Sequence, residues 1–313
     1  MVLYLQYGLF VILTAERRGF NVKIIITGSK GQLGNALIDI IKNDGNSLGS
    51  IPEEFIGAEI IGVDIDTLDI SDKDAVLKLV TTEKPQVIIN CAAMTNVDGC
   101  EDDPKAAYDA NTKGPENLAK AAEMIGAKFV HISTDYVFKG DATVPYIESD
   151  ATGPVTEYGK SKLGGENAVI ENCKKHFILR TSWLYGYIGN NFVKTIMRVA
   201  KEKGVLKVVD DQRGNPTNAN DLAFHILAVA ATENYGIYHC TGSGECSWYD
   251  FACKILEYSK IPCDISPCST EASGRKAKRP AFSSLRNLHL EKTIGDKMRY
   301  WEDALKEYIE NLN

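Results

Sequence analysis

From residue 22 onward, short apolar runs alternate with amphipathic stretches of helical period, and this alternation most restricts what the chain can become. A strand over 22–27 precedes a helix over 32–42, and a strand over 59–63 precedes a helix over 72–81. A strand over 86–90 leads into a long helix over 104–125. A strand over 128–133 is followed by the helix that carries Tyr158, then by a strand over 177–180. Continuous apolar strands joined by crossover helices pair in parallel and bury both faces. The expected fold class is therefore α/β, a doubly wound parallel sheet of the Rossmann type. Beyond residue 182 the pattern loosens. Helices over 191–203, 219–232 and 247–258 mix with strands over 206–209 and 236–239, which reads as a smaller mixed C-terminal lobe. The expected division is a dinucleotide-binding domain over 23–182 and a mainly substrate-binding lobe over 183–313, with interleaving between them left open.

Residues 1–22 stand outside this pattern. The run over 1–13 is apolar but too short to span a bilayer. Arg17 and Arg18 follow it instead of preceding it, and no small-residue cleavage pattern is present, so a secretory signal is disfavoured. An extra strand or helix, or an extension without a role in the fold, is expected there. The eight cysteines (91, 100, 173, 240, 246, 253, 263, 268) form no CxxC pair and no zinc spacing. They read as reduced thiols in a cytoplasmic protein. A net charge of −7 argues against a nucleic-acid partner or an anionic membrane, while local basic pockets could still bind a phosphorylated ligand.

Gly28-Ser-Lys-Gly31-Gln-Leu-Gly34 falls between the first strand and its helix. Glycines there permit a tight turn and close approach of a pyrophosphate, and the helix N-terminus supplies N–H groups to it. Asp64 closes the second strand, where a carboxylate would meet adenosine ribose hydroxyls and favour NADH over NADPH. Asp66 and Asp69 lie close enough to leave the register open. Asp69 and Ile70 could flank the adenine, and the run from Asn90 through Ala93, Met94 and Thr95 ends the next strand at the cofactor's edge.

Tyr158 and Lys162 are four residues apart, hence on one helical face. A free phenol ionises near ~10, and a neighbouring ammonium lowers the cost of its anion. Thr134, in Ser133-Thr-Asp135, ends a strand at the side of the sheet where ligands bind, so it can share a substrate oxygen with Tyr158. A Thr/Tyr/Lys set beside a nicotinamide is what protonation of an oxygen during hydride transfer requires.

With these motifs the chain resembles the dTDP-4-dehydrorhamnose reductase family of the extended short-chain dehydrogenase/reductase superfamily. The resemblance rests on Gly31-Gln-Leu-Gly34, Ser133-Thr-Asp-Tyr-Val-Phe138 and Tyr158-Gly-Lys-Ser-Lys-Leu-Gly-Gly-Glu166. It continues through Arg180-Thr-Ser-Trp-Leu-Tyr-Gly186, Gly189-Asn-Asn-Phe192, Asp211-Gln-Arg-Gly-Asn-Pro-Thr217 and Arg279-Pro280. It implies reduction of the C4 ketone of dTDP-4-dehydro-L-rhamnose to dTDP-L-rhamnose, a precursor of cell-surface polysaccharide, with NADPH as cofactor and NADH tolerated. By the same resemblance Tyr158 is the proton donor, and Lys162 holds the nicotinamide ribose and lowers the Tyr158 pKa. Thr134 and Asp135 contact substrate, Trp183 lines the sugar site, and Gln32, Leu33, Ala93, Met94 and Thr95 run along the cofactor. Asn111 supports the active-site backbone, and Arg279 is the candidate contact for the nucleotide diphosphate.

One departure concerns a metal. Some family members bind magnesium through glutamates at a dimer interface, and two of those positions are Ala36 and Asn220 here. No metal site is expected, and a homodimer through another surface stays open. A related dehydratase would carry Glu where Tyr136 stands, and a 4-epimerase would end the strand in serines. A non-catalytic regulatory subunit, like that of methionine adenosyltransferase, would have no need of an intact Thr134, Tyr158 and Lys162.

Overall fold

The computed structural model describes residues 2–4, 10–12, 22–274 and 276–312. Its main sheet contains strands β1 (Val2–Tyr4), β2 (Phe10–Ile12), β3 (Lys23–Thr27), β4 (Glu59–Val63), β5 (Val87–Asn90), β6 (Lys128–Thr134), β7 (His176–Thr181) and β8 (Gly236–His239). Their order across the sheet is β1-β2-β4-β3-β5-β6-β7-β8. Strands β3 to β8 are parallel, as in a Rossmann sheet. Of the N-terminal extension, β1 and β2 pair antiparallel, and β2 lies antiparallel on the outer edge of β4, Val11 opposite Ile61.

The centre of the sheet shows why β3 forms where it does. Ile24, Ile25 and Ile26 are all fully buried. Side chains alternate across a strand, so Ile24 and Ile26 enter the hydrophobic layer on one face and Ile25 the layer on the other. Each such burial contributes about 1.5–3 kcal/mol.

The helices that matter for the site are α1 (Gln32–Lys42), α2 (Lys73–Glu83), α3 (Gly114–Ile125) and α4 (Glu157–Asn172). Further along come α5 (Phe192–Lys203), α6 (Ala219–Ala230), α7 (Trp248–Ser259) and α8 (Trp301–Glu310). In α1, Leu33, Ala36, Leu37, Ile40 and Ile41 are buried at helical spacing and pack with α6 on one face of the sheet. Helices α2, α3 and α4 cover the other face.

The long helix expected over 104–125 is interrupted. Pro104–Tyr108 is α-helical, Asp109–Lys113 is a wide π-helical turn, and α3 resumes at Gly114. Pro115 has no N–H to give the Asn111 carbonyl, which removes a regular helical bond at this point. Gly165 of α4 packs there, close enough that a Cβ would lie 2.2 Å from the Asn111 oxygen.

Residues 183–313 do not stay in the second lobe. Helix α6 packs on α1, and β8 pairs with β7 as the last parallel strand of the main sheet. Much of the remainder forms a second core from α5, α7 and α8 around Phe251, Trp301 and Tyr308. Parallel strands Val205–Val209 and Asp264–Cys268 flank it. Arg299 joins the two parts, pairing with the Asp221 carboxylate of α6 at 2.9 and 2.7 Å and with Glu307 of α8 at 2.7 Å. All eight cysteines are free thiols. Among the described residues no helix is long and apolar enough to cross a membrane.

Candidate active site

The glycine turn between β3 and α1 is tight. Gly28 has φ +63°, and a Cβ on it would lie 2.8 Å from the Ala92 nitrogen; one on Gly34 would lie 2.3 Å from the Gly28 oxygen. Gly31 caps α1 without a side chain over the first turn, so backbone N–H groups face the position a pyrophosphate would take. These features fit a dinucleotide. Leu33 is buried in the core, so only its backbone can meet a cofactor. Gln32 accepts a hydrogen bond from Asn191 Nδ2 at 3.0 Å.

At the adenosine end, Asp64 Oδ2 accepts the Lys30 backbone N–H at 2.9 Å, and Oδ1 accepts that of Ile65 at 2.9 Å. The Lys30 ammonium pairs with Asp66. Asp69 accepts the Ser71 N–H at 2.9 Å, while Ile70 is buried against Gly114. The loop leaving β5 holds Ala93 and Met94 half-buried and Thr95 exposed. Asn111 fixes that loop. Its Oδ1 accepts the Met94 N–H at 2.8 Å, and its Nδ2 donates to the Met94 carbonyl and to Ser161 Oγ, both at 3.0 Å.

Thr134 ends β6, and Thr156 caps α4 by accepting the Gly159 N–H, which places Tyr158 in the first turn beside Thr134. The Thr134 hydroxyl lies on the Tyr158 side of the site and lowers the cost of ionising its phenol. Lys162 is only 2% exposed and donates through Nζ to the Ile132 carbonyl at 2.6 Å. Burial raises the Tyr158 phenol above its ordinary value, with the neighbouring Thr134 hydroxyl opposing, and the Lys162 ammonium is turned toward a carbonyl. Burial also lowers Lys162 to about 8, with Glu166 opposing.

Asp135 is buried next to Thr134, which donates to its Oδ1 at 2.9 Å. Burial raises Asp135 to about 6, opposed by hydrogen bonds from the Ser283 and Thr134 hydroxyls. Its Oδ2 has no partner among the described residues. Tyr136 meets Tyr158 edge-on, ring centroids 5.4 Å apart, and its pKa is pushed up to about 12 by burial. Arg279 reaches in from the second lobe, donating from Nη1 to the Tyr136 hydroxyl at 3.2 Å and from Nη2 to Asp98 at 3.4 Å. Trp183, at φ +46°, stacks on Trp248 with centroids 3.6 Å apart and planes 8° from parallel. Such a backbone angle is costly for a bulky residue and is typical of ligand sites.

Sequence reasoning gave Ser283, Tyr136, Trp248 and the Glu166–Arg180 ion pair no part in the site. Glu166 left a usable signal, since it stands one helical turn beyond Lys162. Ser283 left none, because only the path of the second lobe brings it to Asp135. At the two positions where relatives would place metal-binding glutamates, Ala36 is buried in the core and the Asn220 carbonyl accepts from Asn46 Nδ2 at 2.9 Å.

Comparison with known proteins matches residues 22–313 to the family described as RmlD substrate binding domain. A spore coat polysaccharide biosynthesis protein, SpsK, of Bacillus subtilis is 40% identical over 92% of this chain and 97% of its own length. The crystal structure of a dTDP-4-dehydrorhamnose reductase from Clostridium acetobutylicum is 48% identical with a TM-score of 0.88, covering 93% of this chain and 99% of that one. The corresponding Bacillus anthracis enzyme, solved in complex with NADP, is 40% identical with a TM-score of 0.87, covering 93% and 100%. Together with the glycine turn and the Thr134–Tyr158–Lys162 cluster, these matches show that the chain belongs to the RmlD/dTDP-4-dehydrorhamnose reductase family of the extended short-chain dehydrogenase/reductases.

Proposed function

We propose that this protein reduces the C4 ketone of dTDP-4-dehydro-L-rhamnose to give dTDP-L-rhamnose, using NADPH, in nucleotide-sugar biosynthesis in the cytoplasm. The observation that carries the reading is the placement of Tyr158 in the first turn of α4 beside Thr134 at the end of β6, with Lys162 one turn further on, in a chain of this family. The bound nicotinamide supplies the hydride that reduces the carbonyl carbon. Tyr158 gives its proton to the C4 oxygen, and Thr134 holds that oxygen in line. Lys162 holds the nicotinamide ribose, and its positive charge favours the tyrosinate left behind. Asp135 and Trp183 line the sugar, and Arg279 meets the diphosphate by exchanging its contact with Asp98 for phosphate oxygens.

NADH is the second cofactor reading. Asp64 favours it, yet both Asp64 oxygens already accept backbone N–H groups. We also read any homodimer as needing no bridging metal, because neither Ala36 nor Asn220 supplies a carboxylate. The test is to follow nicotinamide absorbance with each cofactor and a panel of 4-keto nucleotide sugars, then identify the product by NMR. Turnover of dTDP-4-dehydro-L-rhamnose with NADPH and formation of the rhamno product are expected. A different preferred ketone would replace the substrate assignment.

A further inference from the structure

One carboxylate and one guanidinium lie buried behind the proposed acid, and the reaction above uses neither. Glu166 follows Lys162 by one turn of α4 and is 1% exposed; Arg180, near the end of β7, is 2% exposed. A carboxylate at this spacing in a low-dielectric interior is the natural partner of the lysine. Glu166 is turned the other way. Its Oε1 accepts from Arg180 Nε at 2.9 Å and from Ser133 Oγ at 2.5 Å, and its Oε2 accepts from Arg180 Nη2 at 2.7 Å. Ser133 and Arg180 are register partners across β6 and β7, so the sheet itself sets the clamp. The Arg180 guanidinium also lies over the Phe138 ring, 5.0 Å from its centroid. Lys162 is left with the neutral Ile132 carbonyl.

A buried ion pair often returns less in stability than its desolvation costs, so stability alone does not account for this one. Its geometry has an electrostatic consequence. Were Glu166 to pair with Lys162, the two would appear nearly neutral from Tyr158, and the support for a developing tyrosinate would be cancelled. We propose that Arg180 is a positioning residue that clamps Glu166 from the far side, so that Lys162 acts on the cofactor and on Tyr158 as an unpaired positive charge. This inference rests on the reading of Tyr158 and Lys162 given above.

The titratable groups facing Lys162 can be named element by element. Tyr158 and Glu166 share its helix. His131 faces it from β6, held neutral because burial, and then Lys162 itself, lower its pKa. Cys91, after β5, remains a thiol, pushed up to about 12 by burial. Arg180 acts from β7 through Glu166.

The test is the pH dependence of NADPH affinity, read from nicotinamide fluorescence, in wild type, Glu166→Gln, Arg180→Gln and the double variant. Affinity should fall at high pH as Lys162 loses its proton. Glu166→Gln leaves Arg180 positive nearby and should move that limb to lower pH; Arg180→Gln leaves Glu166 negative and should move it to higher pH. Each shift should be about one pH unit, and the double variant should return the limb close to its wild-type position. Shifts in the same direction, or superimposable profiles with only a fall in Tm, would overturn the inference. If Arg180→Gln does not fold, the Glu166→Gln shift and its reversal in the double variant decide the matter, and an absent reversal overturns it. The readout needs no sugar, so loss of the functional reading in a turnover assay is separately visible.

Discussion

Asp135 sits in an unfavourable place for a carboxylate, buried between two hydroxyls with Oδ2 unpartnered among the described residues. An unfolded Asp ionises near ~3.9, whereas burial raises the folded value to about 6. Between these values the folded chain binds more protons than the unfolded one, so stability falls as pH rises through that window. Above it the full cost is present. Asp135→Asn should therefore stabilise the protein at neutral pH by roughly 1–3 kcal/mol, with the gain vanishing below about pH 4. The same change should raise the KM for the sugar. Denaturant melts at the two pH values, paired with steady-state kinetics, check both; a less stable variant at neutral pH would contradict the stated cost.

Tyr158 and Lys30 give two further single-residue outcomes. Tyr158→Phe should lower kcat by about 10²–10⁴-fold while NADPH affinity stays close to wild type, and near-normal turnover would sink the assigned role. Lys30 pairs with Asp66 at an exposed position, where such a pair contributes little. Its ammonium is within reach of the adenosine end and suited to a 2′-phosphate. Lys30→Ala should then raise the KM for NADPH more than that for NADH, and equal changes for both would remove Lys30 from cofactor selection.

At the scale of elements, the π-helical turn at Asp109–Lys113 is what turns Asn111 onto both polar groups of Met94. Asn111→Ala leaves those groups without their partner, which costs about 1–3 kcal/mol, and frees the loop that borders the cofactor. A lower Tm and weaker NADPH binding are expected together; loss of Tm alone would make Asn111 purely structural. Here the limits of the sequence are physical. The glycine turn and the Tyr158–Lys162 spacing were legible because their geometry is set within one or two turns of chain. The run over 104–125 reads as one continuous helix, and the Pro115 inside it does not by spacing alone say whether a helix kinks or widens. The contacts of Ser283 with Asp135 and of Arg279 with Tyr136 depend on where a distant segment lies, and no local spacing encodes them.

For the whole molecule, the decisive fact is that β8 and α6 come from the half of the chain that also builds the second core. A fragment ending at residue 182 would lose the last strand of the sheet and bare the face that Leu222, Ala223, Ile226 and Leu227 cover. It should show no cooperative unfolding by circular dichroism, whereas the full chain should melt in one transition. An independently folded fragment would contradict this. The alternation of strands and helices gave the parallel sheet, but a four-residue run at 236–239 carries too little pattern to reveal which sheet it joins.

Trp183 and Trp248, flat against each other beside the second core, are two of only three tryptophans in the chain. Two indoles so close and so nearly parallel share their excited states. The second lobe thus contains its own optical reporter: if Trp183 lines the sugar as proposed, a sugar ring or nucleobase that parts or tilts the pair should change a coupled ultraviolet signal, letting substrate binding be followed in the unlabelled protein.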